Sequence, residues 1–180
     1  MTAAAISLTG WQVFTPDDAM STMKLMEKQI LRSLKDPFVI HTANEVIAGA
    51  QPRDYPSQID AIRSYLETYF YFVDNPIGLQ KIQPIAYMLH DIAQRGMTQG
   101  ACDDAADLVA ALGMANGIAA RLTAYAFGIK NAGVSPTDVP FTHVIADLYD
   151  GQRWVMLDVT RPDDMHRLPD VLRTLTLELE

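Results

Sequence analysis

The stretch Gly100-Ala101-Cys102-Asp103-Asp104-Ala105-Ala106-Asp107-Leu108-Val109-Ala110-Ala111-Leu112-Gly113 constrains this chain more than any other. It holds the single cysteine of the 180 residues. Apolar residues at Ala105, Leu108, Val109 and Leu112 follow the i, i+3, i+4, i+7 spacing of a helix face. Gly113 reads as the stop signal, and Gln99 and Gly100 read as a turn before the helix. The thiol then falls at or just before the first helical turn. Unpaired N–H groups and the helix dipole there favour the thiolate, the nucleophilic form. Asp103 and Asp104 suit the same turn as capping acids. Their charge opposes a thiolate, so they are expected to face away from it.

A lone cysteine most often packs as a small hydrophobe. Two downstream stretches give this one a chemical context. Phe141-Thr142-His143-Val144-Ile145-Ala146-Asp147-Leu148-Tyr149 and Arg153-Trp154-Val155-Met156-Leu157-Asp158-Val159-Thr160 both read as strands. Asp150-Gly151 between them is a hairpin turn signal. A two-residue turn would set His143 directly opposite Asp158. A carboxylate would then hold the imidazole, and the imidazole could meet Cys102. Nucleophile, base and orienting acid are the parts that thiol catalysis requires. Trp154 is expected to pack under the hairpin.

These residues carry a resemblance. Gly-x-Cys-Asp-Asp opening a helix, Ala-Leu-Gly-x-x-x-Gly-Ile-Ala-Ala-Arg-Leu, Thr-His-Val on a strand and Trp-Val-x-Leu-Asp-x-Thr together resemble the transglutaminase-like superfamily of papain-type thiol enzymes. The match spans residues 55–162. The resemblance implies an α+β fold in which N-terminal helices pack against an antiparallel sheet and the nucleophile opens a helix. It also implies catalytic roles for Cys102, His143 and Asp158, in that order, separated by 41 and 15 residues. Tyr71-Phe72-Val73-Asp74-Asn75-Pro76, an aromatic run before the cysteine motif, resembles the compact form encoded by tailed bacteriophages. The oxyanion would be held by the Cys102 N–H and a second donor, for which Gln99, Gln83 and Tyr71 are candidates.

Composition excludes several other classes. The net charge is −8 with no Lys/Arg cluster, which argues against nucleic-acid binding. One cysteine excludes an internal disulfide and a cysteine-rich zinc site. No acidic loop has EF-hand spacing, so neither metal nor cofactor is expected. The apolar stretches, such as Leu108 to Ala115, are far shorter than the roughly 20 residues that span a bilayer. Met1 to Leu8 lacks the basic start of a signal peptide. The expected setting is a bacterial cytoplasm or a phage virion.

The rest of the chain supports three segments. Residues 1–54 form an arm and helices on the core, 55–162 the core itself, and 163–180 a tail ending in an edge strand. An extended arm with Trp11, Val13 and Phe14 precedes a helix capped by Thr15, with Pro16 at its first position. That helix runs to about Lys35 with Met20, Met23, Met26, Ile30 and Leu34 on its apolar face. Further helices are expected over about 37–47, 57–71 and 84–94, and a strand over 118–127. His41 and His90 read as surface or packing residues. Gly128 to Pro140 is a long loop poised to rim a cleft. A peptide or protein is the expected substrate. The alternative role is a virion structural or assembly protein with a vestigial triad, contacting phage partners through residues 1–15 and 170–180.

Overall fold

A computed structural model describes residues 12–14, 18–75, 79–128, 135–160 and 170–180. The fold is α+β. In chain order the elements are β1 (Gln12–Phe14), α1 (Ala19–Ser33), α2 (Pro37–Val46), α3 (Tyr55–Tyr69), β2 (Phe70–Phe72), β3 (Gln80–Ile82), α4 (Ile85–Arg95), β4 (Thr98–Gly100), α5 (Cys102–Ala115), β5 (Ala120–Phe127), β6 (His143–Tyr149), β7 (Trp154–Leu157) and β8 (Val171–Glu178). A 3-10 turn covers Pro136–Asp138.

Helix α5 is the axis of the fold. Every residue from Asp103 to Gly113 is buried. The other four helices pack on it, and β5 and β6 cover its remaining side. Leu108 and Leu112, both fully buried, each contribute about 2 kcal/mol of apolar burial. Gly113 lies inside this helix and does not end it. A Cβ there would come 2.5 Å from Leu148 Cδ2, so the missing side chain lets α5 lie close on β6. The helix ends two residues later, ahead of Gly117 at φ 76°.

The main sheet has four strands in the order β7-β6-β5-β8, all antiparallel. The C-terminal strand β8 pairs with β5 and forms one outer edge. The alternation of Leu175 and Leu177 with Thr174 and Thr176 turns the leucines inward against the core. Strand β1 pairs with β3, so residues 12–14 fold back onto the body. Residues 1–11 and 15–17 lie outside the described residues.

Four further local expectations need correction. Helix α1 starts at Ala19, not after Thr15. Asp18 is its N-cap, in extended geometry, and accepts from the Ser21 N–H at 2.8 Å and the Ser21 hydroxyl at 3.0 Å. A serine three residues on gives that aspartate two donors at once. Gln99 and Gly100 form a strand, β4, and not a turn, because they pair in parallel with Tyr71 and Phe72. The hairpin register also differs. Tyr149 pairs with Trp154, leaving Asp150–Arg153 as a four-residue loop. Asp150 dictates it: its Oδ1 accepts from the N–H groups of Gln152 and Arg153, each at 2.8 Å. Trp154 is only partly buried, stacked with Arg121 at 4.5 Å from its ring centre.

Candidate active site

The register correction preserves the site. A shift of two residues returns every side chain to its original face. The last β6–β7 pair is Ala146 with Leu157, so Asp158 falls just past the end of β7, and His143 reaches it diagonally. His143 Nε2 and Asp158 Oδ2 are 2.5 Å apart, with both side chains buried. The other carboxylate oxygen of Asp158 accepts from the Thr160 N–H at 3.0 Å and the Thr160 hydroxyl at 2.6 Å. Burial alone would raise the Asp158 pKa. The His143 hydrogen bond and charge, together with the Thr160 donors, outweigh it and hold the carboxyl below its ordinary value. Because Nε2 is taken, Nδ1 is the imidazole nitrogen that remains for a thiol.

Cys102 is the first residue of α5 and only partly buried. Its thiol and His143 line one cavity of about 710 Å³. The wall opposite is formed by the start of α1 and by Pro140, Phe141 and Thr142. The end of the expected loop therefore does rim the cleft, while residues 129–134 lie outside the described residues. Burial pushes the thiol up to about 12, and the negative charges of Asp103 and Asp158 add to the rise. The N–H groups of Val144 and Asp103 oppose it by hydrogen-bonding the sulfur. The helix start alone thus does not leave a free thiolate. No hydrogen bond joins Sγ to the His143 ring among the described residues.

The acids behind the cysteine do not face solvent. Asp103, Asp104 and Asp107 are all buried. Asp104 caps its own helix by accepting from the Ala101 N–H at 3.1 Å. It also accepts from the Gln83 N–H at 2.7 Å and the Gln83 amide at 2.8 Å. Asp103 accepts from the Gln80 amide at 2.6 Å. The one donor near Asp107 among the described residues is the Gln29 amide, outside good hydrogen-bond geometry and able to offset burial only in part. Burial raises all three, and like charge adds to the rise at Asp103 and Asp107. Asp103 reaches about 7. Among the described residues no three His, Cys, Asp or Glu groups are placed to hold a metal ion.

The three side chains considered as oxyanion donors do not line this cavity. Gln83 is buried and its amide is committed to Asp104 and to the Gln99 carbonyl at 2.7 Å. Gln99 and Tyr71 are exposed on the β2–β4 pair. The amide that does line the cavity is Gln80. Its strand has only three residues, too short for a periodicity signal, and its only sequence cue is a glutamine ahead of the cysteine. His41 is exposed beside Glu45, and His90 stacks on Phe38 with ring centres 3.8 Å apart. Both lie outside the site.

The sequence model of the transglutaminase-like superfamily matches residues 40–159. This chain belongs to that superfamily. Two solved structures share the superfamily-like fold. One is a candidate protease from Parabacteroides distasonis, with a TM-score of 0.58 and 13% identity over 80% of this chain and 27% of the other. The second is a candidate cysteine protease from Cytophaga hutchinsonii, with a TM-score of 0.50 and 19% identity over 92% of this chain and 54% of the other. The chain therefore spans about a quarter and about half of their lengths. No curated protein matches it significantly. No helix among the described residues is long and apolar enough to cross a membrane.

Proposed function

We propose that this chain is a thiol enzyme that cleaves peptide or amide bonds through Cys102, His143 and Asp158. The observation that carries the reading is the buried His143–Asp158 bond at 2.5 Å through Nε2, in a cavity shared with Cys102. Burial keeps the thiol protonated at rest, and its proton passes to His143 Nδ1, the ring nitrogen that the Asp158 bond leaves open. As it does, Sγ bonds to the acyl carbon and the carbonyl π pair moves onto oxygen. The Cys102 N–H at the start of α5, and the Gln80 N–H that Asp103 leaves unused, would hold that charge. Collapse restores the carbonyl and breaks the C–N bond, and the amine leaves with the proton from the imidazolium. Water then resolves the thioester with His143 as base. Asp158 holds the ring and offsets its transient positive charge. The proposal includes the compact, phage-like form and a site of action in a bacterial cytoplasm or a virion.

A second reading, a virion or assembly protein, draws on Tyr71, Phe72 and Val73, which stand 53%, 42% and 48% exposed as an apolar run suited to a protein partner.

The test is the rate of Cys102 alkylation by iodoacetamide against pH, read by mass spectrometry on the folded chain. Native protein should label at neutral pH. His143→Ala should label only as pH approaches the thiol's own value of about 12. Identical profiles for the two proteins would remove the catalytic reading.

A further inference from the structure

The cavity in front of Cys102 has one permanent cation among the described residues that line it, Arg173 on β8. Its guanidinium lies over the Phe141 ring, 4.4 Å from the centre, and one Nη2 N–H donates to the Val139 carbonyl at 2.7 Å. Those contacts hold the side chain but leave its Nε N–H unused: Nε is buried and has no hydrogen-bond partner. Arg121, in the next strand of the same sheet, shows the contrast. Its Nε donates to the buried Asp147 carboxylate at 2.8 Å, as expected of a structural arginine. Among the described residues no acid pairs with Arg173. Asp18, the acid that lines the cavity, gives both its oxygens to Ser21. A buried guanidinium edge without an acceptor calls for an anion, and a carboxylate fits it with two parallel N–H···O bonds.

We infer that Arg173 is a specificity-determining residue that takes a carboxylate of the substrate. The inference rests on the thiol-enzyme reading for the location of the scissile bond. Ala126 pairs with Arg173, and the adjacent Tyr125 pairs with His143. Two strand spacings, roughly 10 Å, thus separate the two backbones. The guanidinium comes to the cavity over Phe141, two residues before His143. The carboxylate then belongs to the residue beside the scissile bond or to the next one, as an acidic side chain or as the end of the substrate chain.

The test uses the full chain with Cys102→Ala, so that binding is read without reaction. Fluorescein-labelled peptides that differ only by Glu against Gln, placed in turn at each position, are titrated by anisotropy. At one position the Glu peptide should bind roughly tenfold or more tightly than its Gln partner, the size of a charge-assisted hydrogen bond. Arg173→Gln should erase the preference. Arg173→Lys should weaken it, because the charge stays and the two-pronged geometry goes. Amidating the peptide C-terminus separates the sources: a preference lost on amidation assigns a chain end, and one retained assigns a side chain. Equal binding of Glu and Gln peptides at every position overturns the inference, as does a preference that survives Arg173→Gln. If that variant does not fold, the comparison in the Arg173 protein and in Arg173→Lys still decides. Native Cys102 that alkylates with His143 dependence while no acid preference exists rejects Arg173 alone. An acid preference with no His143-dependent alkylation rejects the thiol chemistry and keeps the carboxylate site.

Discussion

Asp158 and Asp107 are both buried, at 4% and 0% exposure, yet they meet burial in opposite ways. Asp158 lies at a strand end, where His143 Nε2, the Thr160 N–H and the Thr160 hydroxyl converge on it. It stays ionised and its pKa falls below the ordinary value. Asp107 lies in mid-helix, where its own backbone groups are spent on the helix ladder and the one donor near it among the described residues is the Gln29 amide, which also donates to the Gln83 carbonyl. Burial and the charges of Asp103 and Asp104 lift its pKa well above the ordinary value, so it is held as the neutral acid. Burial by itself therefore does not set the charge of a carboxyl group. Donors set against burial, together with the sign of the neighbouring charges, do: Asp158 gains from His143, whereas Asp104, with three donors, still lies above its ordinary value.

The largest expected effect comes from removing the ionised acid. Asp158→Ala should lower cleavage of a fluorogenic peptide-amide library on the order of 10³-fold or more, because the imidazole loses its orientation and its counter-charge. A loss below about tenfold would make Asp158 a packing residue and collapse the contrast with Asp107.

The neutral acid should behave in the reverse sense, and on stability. A carboxyl whose folded pKa is raised stabilises the fold below its ordinary value and loses that contribution as pH rises through the folded value. Asp107→Asn removes the ionisation, so its melting temperature should exceed that of the native chain by several degrees at pH 8, at roughly 2–4 °C per kcal/mol. The gain should vanish near pH 3.5. Calorimetry across that range checks both the sign and the window. Destabilisation at every pH would mean that Asp107 makes a bond that the asparagine cannot.

Asp103 gives the smallest effect and the finest test. It titrates near 7 and its charge raises the Cys102 thiol. Asp103→Asn in the His143→Ala background should move the alkylation profile to lower pH by about half a unit to one unit. An unchanged profile would leave burial and the Asp158 charge as the causes of the thiol's shift.

Much of this was legible in the chain. Cys102, His143 and Asp158 were readable because each carries a local signal: a helix start, a strand and a strand end joined by Asp150-Gly151. Their order adds information that no single residue has. The buried face of the acids was not legible. Asp103, Asp104 and Asp107 belong on the outside of a helix with one apolar side, and only the packing of four helices and a sheet around α5 puts them inside. Strands β2, β3 and β4 have three residues each, too few for a periodicity, so Gln80 and the β4 pairing were hidden.

By itself the sequence determined the α+β class, the cysteine at a helix start and the two-strand unit that joins His143 to Asp158. All of these rest on spacing within short stretches of chain. Tertiary structure alone decided the diagonal reach of His143 to Asp158, the charge of each buried acid and the side chains that share the cavity with Cys102. Arg173 lies 71 residues from Cys102 in the chain, and no local pattern links them. They meet at one cavity because β8 returns to pair with β5 and α5 packs beneath the sheet. Burial, hydrogen-bond donors and neighbouring charges are properties of that assembled surface, and together they set which groups carry charge.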